Sequence, residues 1–213
     1  MKALRWALAA GGALRARGST TFWTAVARLR LRLHGAQVGP GLRVRGPIRL
    51  HCHRTGAIRL GRGCRLQSGF AGNPVGEGHR LSIWVGPGGR LEIGDGVGIS
   101  NSTLVCMSAL SIGDEALIGG GCRIYDTDFH SLDSAERSRP GNPGARTAAV
   151  AVRRRAFVGG HSILLKGTVV GEGSVVGAGS VVRGVVPPHQ VWAGNPARLV
   201  RELRRPVELE AAR

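Results

Sequence analysis

The chain has 213 residues, enough for one sizeable core with little room for a second domain. Its formal net charge is +17, and all of its 30 basic side chains except Lys2 and Lys166 are arginine. They are spread along the chain without a nucleic-acid module or interleaved stacking aromatics, which argues against a nucleic-acid partner. Aromatics make up only 4%, so the core has to be aliphatic.

Residues 1–35 show helical spacing, with Leu4, Trp6 and Leu14, then Phe22, Trp23, Val26 and Leu29, among Arg5, Arg15, Arg17, Arg28, Arg30 and Arg32. This predicts one or two basic amphipathic helices. Two roles fit such a segment best: a cover for the open end of the following repeat, or peripheral contact with an anionic membrane surface; a signal peptide fits less well, because the arginines after the short apolar run Trp6 to Leu14 make a poor cleavage region. No run reaches spanning length, and a cytoplasmic location, peripheral at the inner membrane face if the segment docks, is expected.

From Val38 a pattern recurs: Val38-Gly-Pro-Gly-Leu, Leu60-Gly-Arg-Gly-Cys, Ile93-Gly-Asp-Gly-Val and Ile112-Gly-Asp-Glu-Ala. Ile93, Ile99, Val105, Ile112, Ile118 and Ile124 run at six with a single seven, and Val152, Val158, Leu164, Val170, Val176 and Val182 run at six throughout. A period of six is neither helical nor simply extended; it marks short strands and corners stacked as a parallel β-helix, an all-β fold. The aliphatic position fills the interior, and Ala156, Ser162, Thr168, Ser174 and Ser180 turn the corners. The β-helix is expected over 36–190. Two segments break the period, near 67–84 and 125–147, and read as loops on the rigid body, where function commonly sits. Residues 191–213 are expected to form an extension with a short helix.

Cys52, Cys64, Cys106 and Cys122 are widely spaced and read as small interior hydrophobes. His51-Cys52-His53 is a weak metal fragment, because neighbours on an extended chain point to opposite faces. No metal site is expected.

Three stretches, "IGDEALIGGGCRIYDTDFHSLD", "FVGGHSILLKGTVVGEGSVVGAGSVV" and "VWAGNPARLVREL", resemble the hexapeptide-repeat O-acetyltransferases, the group of galactoside, maltose, xenobiotic and exopolysaccharide acetyltransferases. The resemblance runs from about Val38 to Arg201 and implies a left-handed β-helix, where generic crossover rules alone favour the right hand. It implies acetyl-CoA as acyl donor, a sugar or cell-surface glycan hydroxyl as acceptor, and a homotrimer with sites between subunits.

His130 matches the family's catalytic histidine, and an imidazole suits removal of a hydroxyl proton near neutral pH. A carboxylate on its other ring nitrogen would fix the tautomer, with Asp126, Asp128 and Asp133 as candidates and Asp128 preferred. Asn101 resembles an acceptor-binding asparagine, and Asp126 is placed with it. Gly160 and Ala178 match backbone contacts to the pantetheine arm. Arg183 and Gly184 stand where relatives have threonine and lysine, so the basic group is shifted by one residue; Phe157 stands in place of a tryptophan. Arg198 and Arg201 match basic residues at the nucleotide end of coenzyme A. Two alternatives stay open: an N-acetyltransferase acting on an amino sugar or amino acid, serine acetyltransferase-like enzymes included, and a non-transferase binding or metal protein like the γ-class carbonic anhydrases. The latter needs clustered histidines, and His34, His51, His53, His79, His130, His161 and His189 lack that spacing.

Overall fold

A computed structural model describes residues 19–70, 72–140 and 143–204. Its body is a three-sided prism of parallel strands. Face 1 stacks β1 (Gln37–Val38), β4 (Ala57–Leu60), β7 (Arg90–Ile93), β10 (Ala109–Ile112), β13 (Val150–Val152), β16 (Val169–Val170) and β19 (Val185–Val186). Face 2 stacks β2 (Arg43–Arg45), β5 (Arg65–Gln67), β8 (Gly98–Ser100), β11 (Leu117–Ile118), β14 (Phe157–Val158), β17 (Val175–Val176) and β20 (Gln190–Gly194). Face 3 stacks β3 (Arg49–Cys52), β6 (Ser82–Val85), β9 (Thr103–Cys106), β12 (Arg123–Tyr125), β15 (Ile163–Leu164) and β18 (Val181–Val182). The chain visits the faces in turn, so each of the first six coils donates one strand to each sheet, and the seventh gives only β19 and β20.

The six-residue beat becomes three interior ladders. On face 2 Val44, Leu66, Ile99, Ile118, Val158, Val176 and Trp192 lie in register; on face 3 Leu50, Ile83, Leu104, Ile124, Leu164 and Val182 do. All but the half-buried Trp192 are buried. One expectation shifts here: Leu104 points inward, and Val105 faces outward beside Tyr125. The corner before it is short, with Asn101 in a left-handed conformation (φ 42°) and Ser102 buried, so the beat runs five then eight instead of six then seven. At the later corners Ser162, Thr168, Ser174 and Ser180 are fully buried, and each hydroxyl donates to a main-chain carbonyl of the coils. A small polar residue there satisfies backbone that a methyl group would leave orphaned.

Helix α1, residues 19–33, covers the first coil. Ala27 and Leu31 enter the core. The Thr24 hydroxyl accepts from the Val44 N–H (2.9 Å), and the Arg30 guanidinium donates to the carbonyls of Ile48 (2.8 Å) and Leu50 (3.4 Å). The helix therefore closes the interior and pairs main-chain groups that an uncapped solenoid leaves at its edge. Of the expected 1–35 segment, residues 1–18 lie outside the described residues.

Both loops leave one residue later than the broken period suggested; the first returns sooner, since Ser82–Val85 is already strand β6, and the second returns later, so the excursions span 68–81 and 126–149. The C-terminal expectation is overturned where the chain is described. Arg198 and Arg201 lie on β21 (Ala197–Glu202), which pairs antiparallel with β20. The chain turns after Gly194 through a proline at position 196, and β21, with Ala197 buried and the rest exposed, extends face 2 by pairing with β20, so sheet pairing competes successfully with helix. Residues 205–213 are outside the described residues.

Candidate active site

The excursion 126–149 leaves the prism at the edge between faces 3 and 1. Asp126, wholly buried, sets its root: its carboxylate accepts the N–H groups of Met107 (2.8 Å) and Ser108 (2.6 Å) at the corner one coil below. Its main-chain carbonyl accepts from Ala148, closing the loop's two ends. Thr127 then bridges Thr147, and the Asp128 N–H donates to the Arg146 carbonyl (3.0 Å), forming a short stem. Phe129 turns the chain in a left-handed conformation (φ 62°) and packs edge-on against Tyr125, with ring centroids 5.1 Å apart. His130 follows, exposed to solvent at the head of this stem.

The head is itself braced. Asp133 caps α2 (Ser134–Arg137), accepting from Ala135 (2.8 Å) and Glu136 (3.0 Å). Ser131 donates to Glu136 (2.6 Å), and Arg137 donates to the Ser131 carbonyl (2.9 Å). Asp128 forms an ion pair with Lys166 (3.2 Å), which stands on the corresponding corner of the next coil.

Each of the three carboxylates considered for His130 is thus engaged elsewhere: Asp126 in the buried brace, Asp133 in the helix cap, Asp128 with Lys166. No hydrogen bond joins Asp128 to His130 among the described residues. Asp126 also cannot meet an acceptor, because it is buried beneath the corner it holds. Lys166 was not singled out from the sequence, since nothing local links it to an aspartate 38 positions earlier.

Asn101 sits on another edge, between faces 2 and 3, and is buried. Its amide donates to the carbonyls of Asn73 (2.6 Å) and Val75 (3.0 Å), pinning the 68–81 loop, while its Oδ1 finds no partner among the described residues. It is an anchor for that loop instead of a surface open to acceptor. Gly160 and Ala178 occupy the same edge on successive coils. A Cβ on Gly159 would approach the Ala178 nitrogen to 2.6 Å, and one on Gly120 would collide with the Val75 carbonyl, so glycines let coils and loop close together. Along this edge Gly120 and Gly159 are buried, Gly160 is half-buried and Ala178 is exposed.

Arg183 and Gly184 return to the edge that carries His130, two coils further along, with Arg183 exposed. Arg198 and Arg201 are exposed on the C-terminal hairpin. Within one chain, therefore, the histidine edge and the Gly160–Ala178 edge are separated by the width of face 3. The four cysteines are free and buried. Burial raises each thiol's pKa, Cys106 to about 12 with the Asp126 carboxylate adding to the effect, so they stay protonated near neutral pH and offer no sulfur nucleophile. His51, exposed, stacks on Trp84 with centroids 4.0 Å apart, while Cys52 points into the core. No group of three or more His, Cys, Asp or Glu is arranged to hold a metal ion among the described residues.

No protein-family model matches the chain. Over 111 residues it is 32% identical to WbbJ of Escherichia coli K12, named for O-acetyl transfer in lipopolysaccharide biosynthesis; the match covers 50% of this chain and 57% of that protein, so it spans little more than half of the relative's length. Among solved structures, AntD, an N-acyltransferase from Bacillus cereus in complex with dTDP and 3-hydroxybutyryl-CoA, superposes with a TM-score of 0.66 at 18% identity, covering 84% of this chain and 89% of AntD. The hexapeptide-repeat acetyltransferase VCA0836 of Vibrio cholerae, bound to acetyl coenzyme A, superposes with a TM-score of 0.54 at 24% identity, covering 84% of this chain and 76% of that one. These likenesses show the fold: the chain is a left-handed parallel β-helix of hexapeptide repeats, the architecture it shares with these solved structures.

Proposed function

We propose that the protein is an acyltransferase that moves an acetyl group from acetyl-CoA to a hydroxyl of a sugar or glycan precursor, with His130 as general base, in a groove between two subunits of a homotrimer. The observation that carries this reading is the exposed imidazole on a doubly braced stem at a prism edge, together with the glycine-lined edge one face away, where Ala178 is exposed. An edge of one chain set against the other edge of its neighbour unites the two halves, and a ring of such contacts closes under cyclic symmetry. The likeness to WbbJ supports a lipopolysaccharide-type acceptor.

In this mechanism His130 takes the acceptor's hydroxyl proton as its oxygen attacks the thioester carbonyl. The tetrahedral intermediate then breaks its carbon–sulfur bond, and the imidazolium returns the proton to the departing thiolate. Backbone N–H groups along the Gly160–Ala178 edge suit both the pantetheine amides and the oxyanion. Arg183, Arg198 and Arg201 suit the phosphates of the donor, and the Lys166–Asp128 pair steadies the stem. With no carboxylate on His130 among the described residues, the group that orients the ring comes from the neighbouring subunit, the substrate or water.

The test is purified protein with acetyl-CoA and a panel of sugar hydroxyl and amino-sugar acceptors, reading free thiol. Transfer to hydroxyls is expected, and His130→Ala should lose a factor of about 10² to 10⁴ in rate while coenzyme A binding and melting temperature stay unchanged. Transfer to amines alone favours N-acylation, the activity for which AntD is named, and defeats the hydroxyl reading. Wild-type rates from His130→Ala defeat the general-base assignment.

A further inference from the structure

The cap helix has two working faces. Its inner face, Ala27 and Leu31, belongs to the core. Its outer face carries Phe22, Leu29 and Leu33, which remain 57%, 60% and 77% exposed. At about 100° per residue these three fall within about 40° of arc, opposite Leu31. Capping the solenoid needs only the inner face, so it does not explain three large apolar side chains aimed away from the prism.

The charge around this stripe is one-sided. Although basic residues occur throughout, Glu77 is the first carboxylate in the chain, and residues 1–76 hold 14 of the 30 basic side chains and none of the 13 acidic ones. Among the described residues of this end, Arg32 on the helix and Arg43, Arg49 and Arg54 on the first coil are exposed, and none of them meets a carboxylate. Further along, Arg62 pairs with Asp95, and Arg154 and Arg155 with Glu115.

We propose that the N-terminal end of the prism docks on an anionic lipid bilayer, with Phe22, Leu29 and Leu33 entering the headgroup boundary and the surrounding arginines contacting lipid phosphates. An apolar stripe within a basic rim is the pattern of a helix lying in the interfacial plane. The helix is 15 residues long, and no described helix is long and apolar enough to cross. Two copies meeting stripe to stripe would oppose two unneutralised basic rims, which disfavours a second copy as the occupant. Nucleic acid would satisfy the rim but not the stripe. The coil that roots the His130 excursion is the fourth from this end, about 15 Å along the axis from the first at the usual strand spacing, so the prism would stand on the membrane with its edges reaching outward from the lipid.

The inference does not depend on acyl transfer, and its test reads neither product nor rate. The full chain is sedimented with vesicles of phosphatidylcholine alone and of phosphatidylcholine with about one-third phosphatidylglycerol, beside a triple variant (Phe22→Ser, Leu29→Ser, Leu33→Ser) and a double variant (Arg32→Glu, Arg43→Glu). Binding to the anionic vesicles is expected, weaker by about tenfold or more on neutral ones and falling with salt. Each variant should lose about tenfold or more of the bound fraction constant at unchanged melting temperature. Wild-type protein that ignores vesicles, or binds both kinds equally, overturns the proposal, as do variants that bind like wild type. A triple variant of altered mass beside wild-type protein that ignores vesicles assigns the stripe to a contact between copies instead, and equally overturns it.

Discussion

Asp126 shows how far a residue's surroundings can depart from its sequence context. In an aspartate-rich stretch it reads as a site residue; in the fold it is fully buried and accepts two N–H groups from the coil below. Asp126→Ala should cost about 2–4 kcal/mol, because two donors are left unpaired in the interior, and Asp126→Asn, keeping one acceptor, should fall between it and wild type; urea unfolding midpoints check the order. His130 follows the last regular coil before the excursion, and the structure leaves it exposed there. Asn101 was legible as a special position but not in its duty. Its two donated bonds go to residues 73 and 75, a long-range pairing that no local pattern announces.

Elements were easier to read than residues. The six-residue period located nearly every interior position after Val152, since each coil of three hexapeptides places residue i over residue i+18, as with Val158 and Val176. Where corners shorten, as before Leu104, the period slips and the inward residue changes with it. The C-terminal hairpin was missed because a basic segment with mixed polarity suits a helix face and a sheet edge alike, and the open edge of face 2 settled the matter. The cap helix offers a direct test. Thr24→Val keeps the shape but strands the buried Val44 N–H that the hydroxyl accepts, at about 1–3 kcal/mol, whereas Arg32→Ala on the exposed side should move the unfolding midpoint by less than about 0.5 kcal/mol in equivalent stability.

At the scale of the whole molecule, the expected site residues divide between two prism edges and the C-terminal hairpin. Face 2 also presents Leu117 and Phe157 side by side, each more than two-fifths exposed, a fitting patch for a neighbour. Light scattering of the purified protein should return three times the chain mass of 22.3 kDa, and Phe157→Arg should lower that mass; a wild-type monomer would contradict the shared groove. The repeat alone dictated the solenoid, since an aliphatic residue every six positions can be buried together only by stacking three-sided coils. Which polar side chains face solvent, which are spent bracing corners and loops, and how the candidate residues divide between edges was decided by tertiary packing, because hydrogen-bond partners one coil or one excursion away are set by stacking, and distance along the chain carries no record of it.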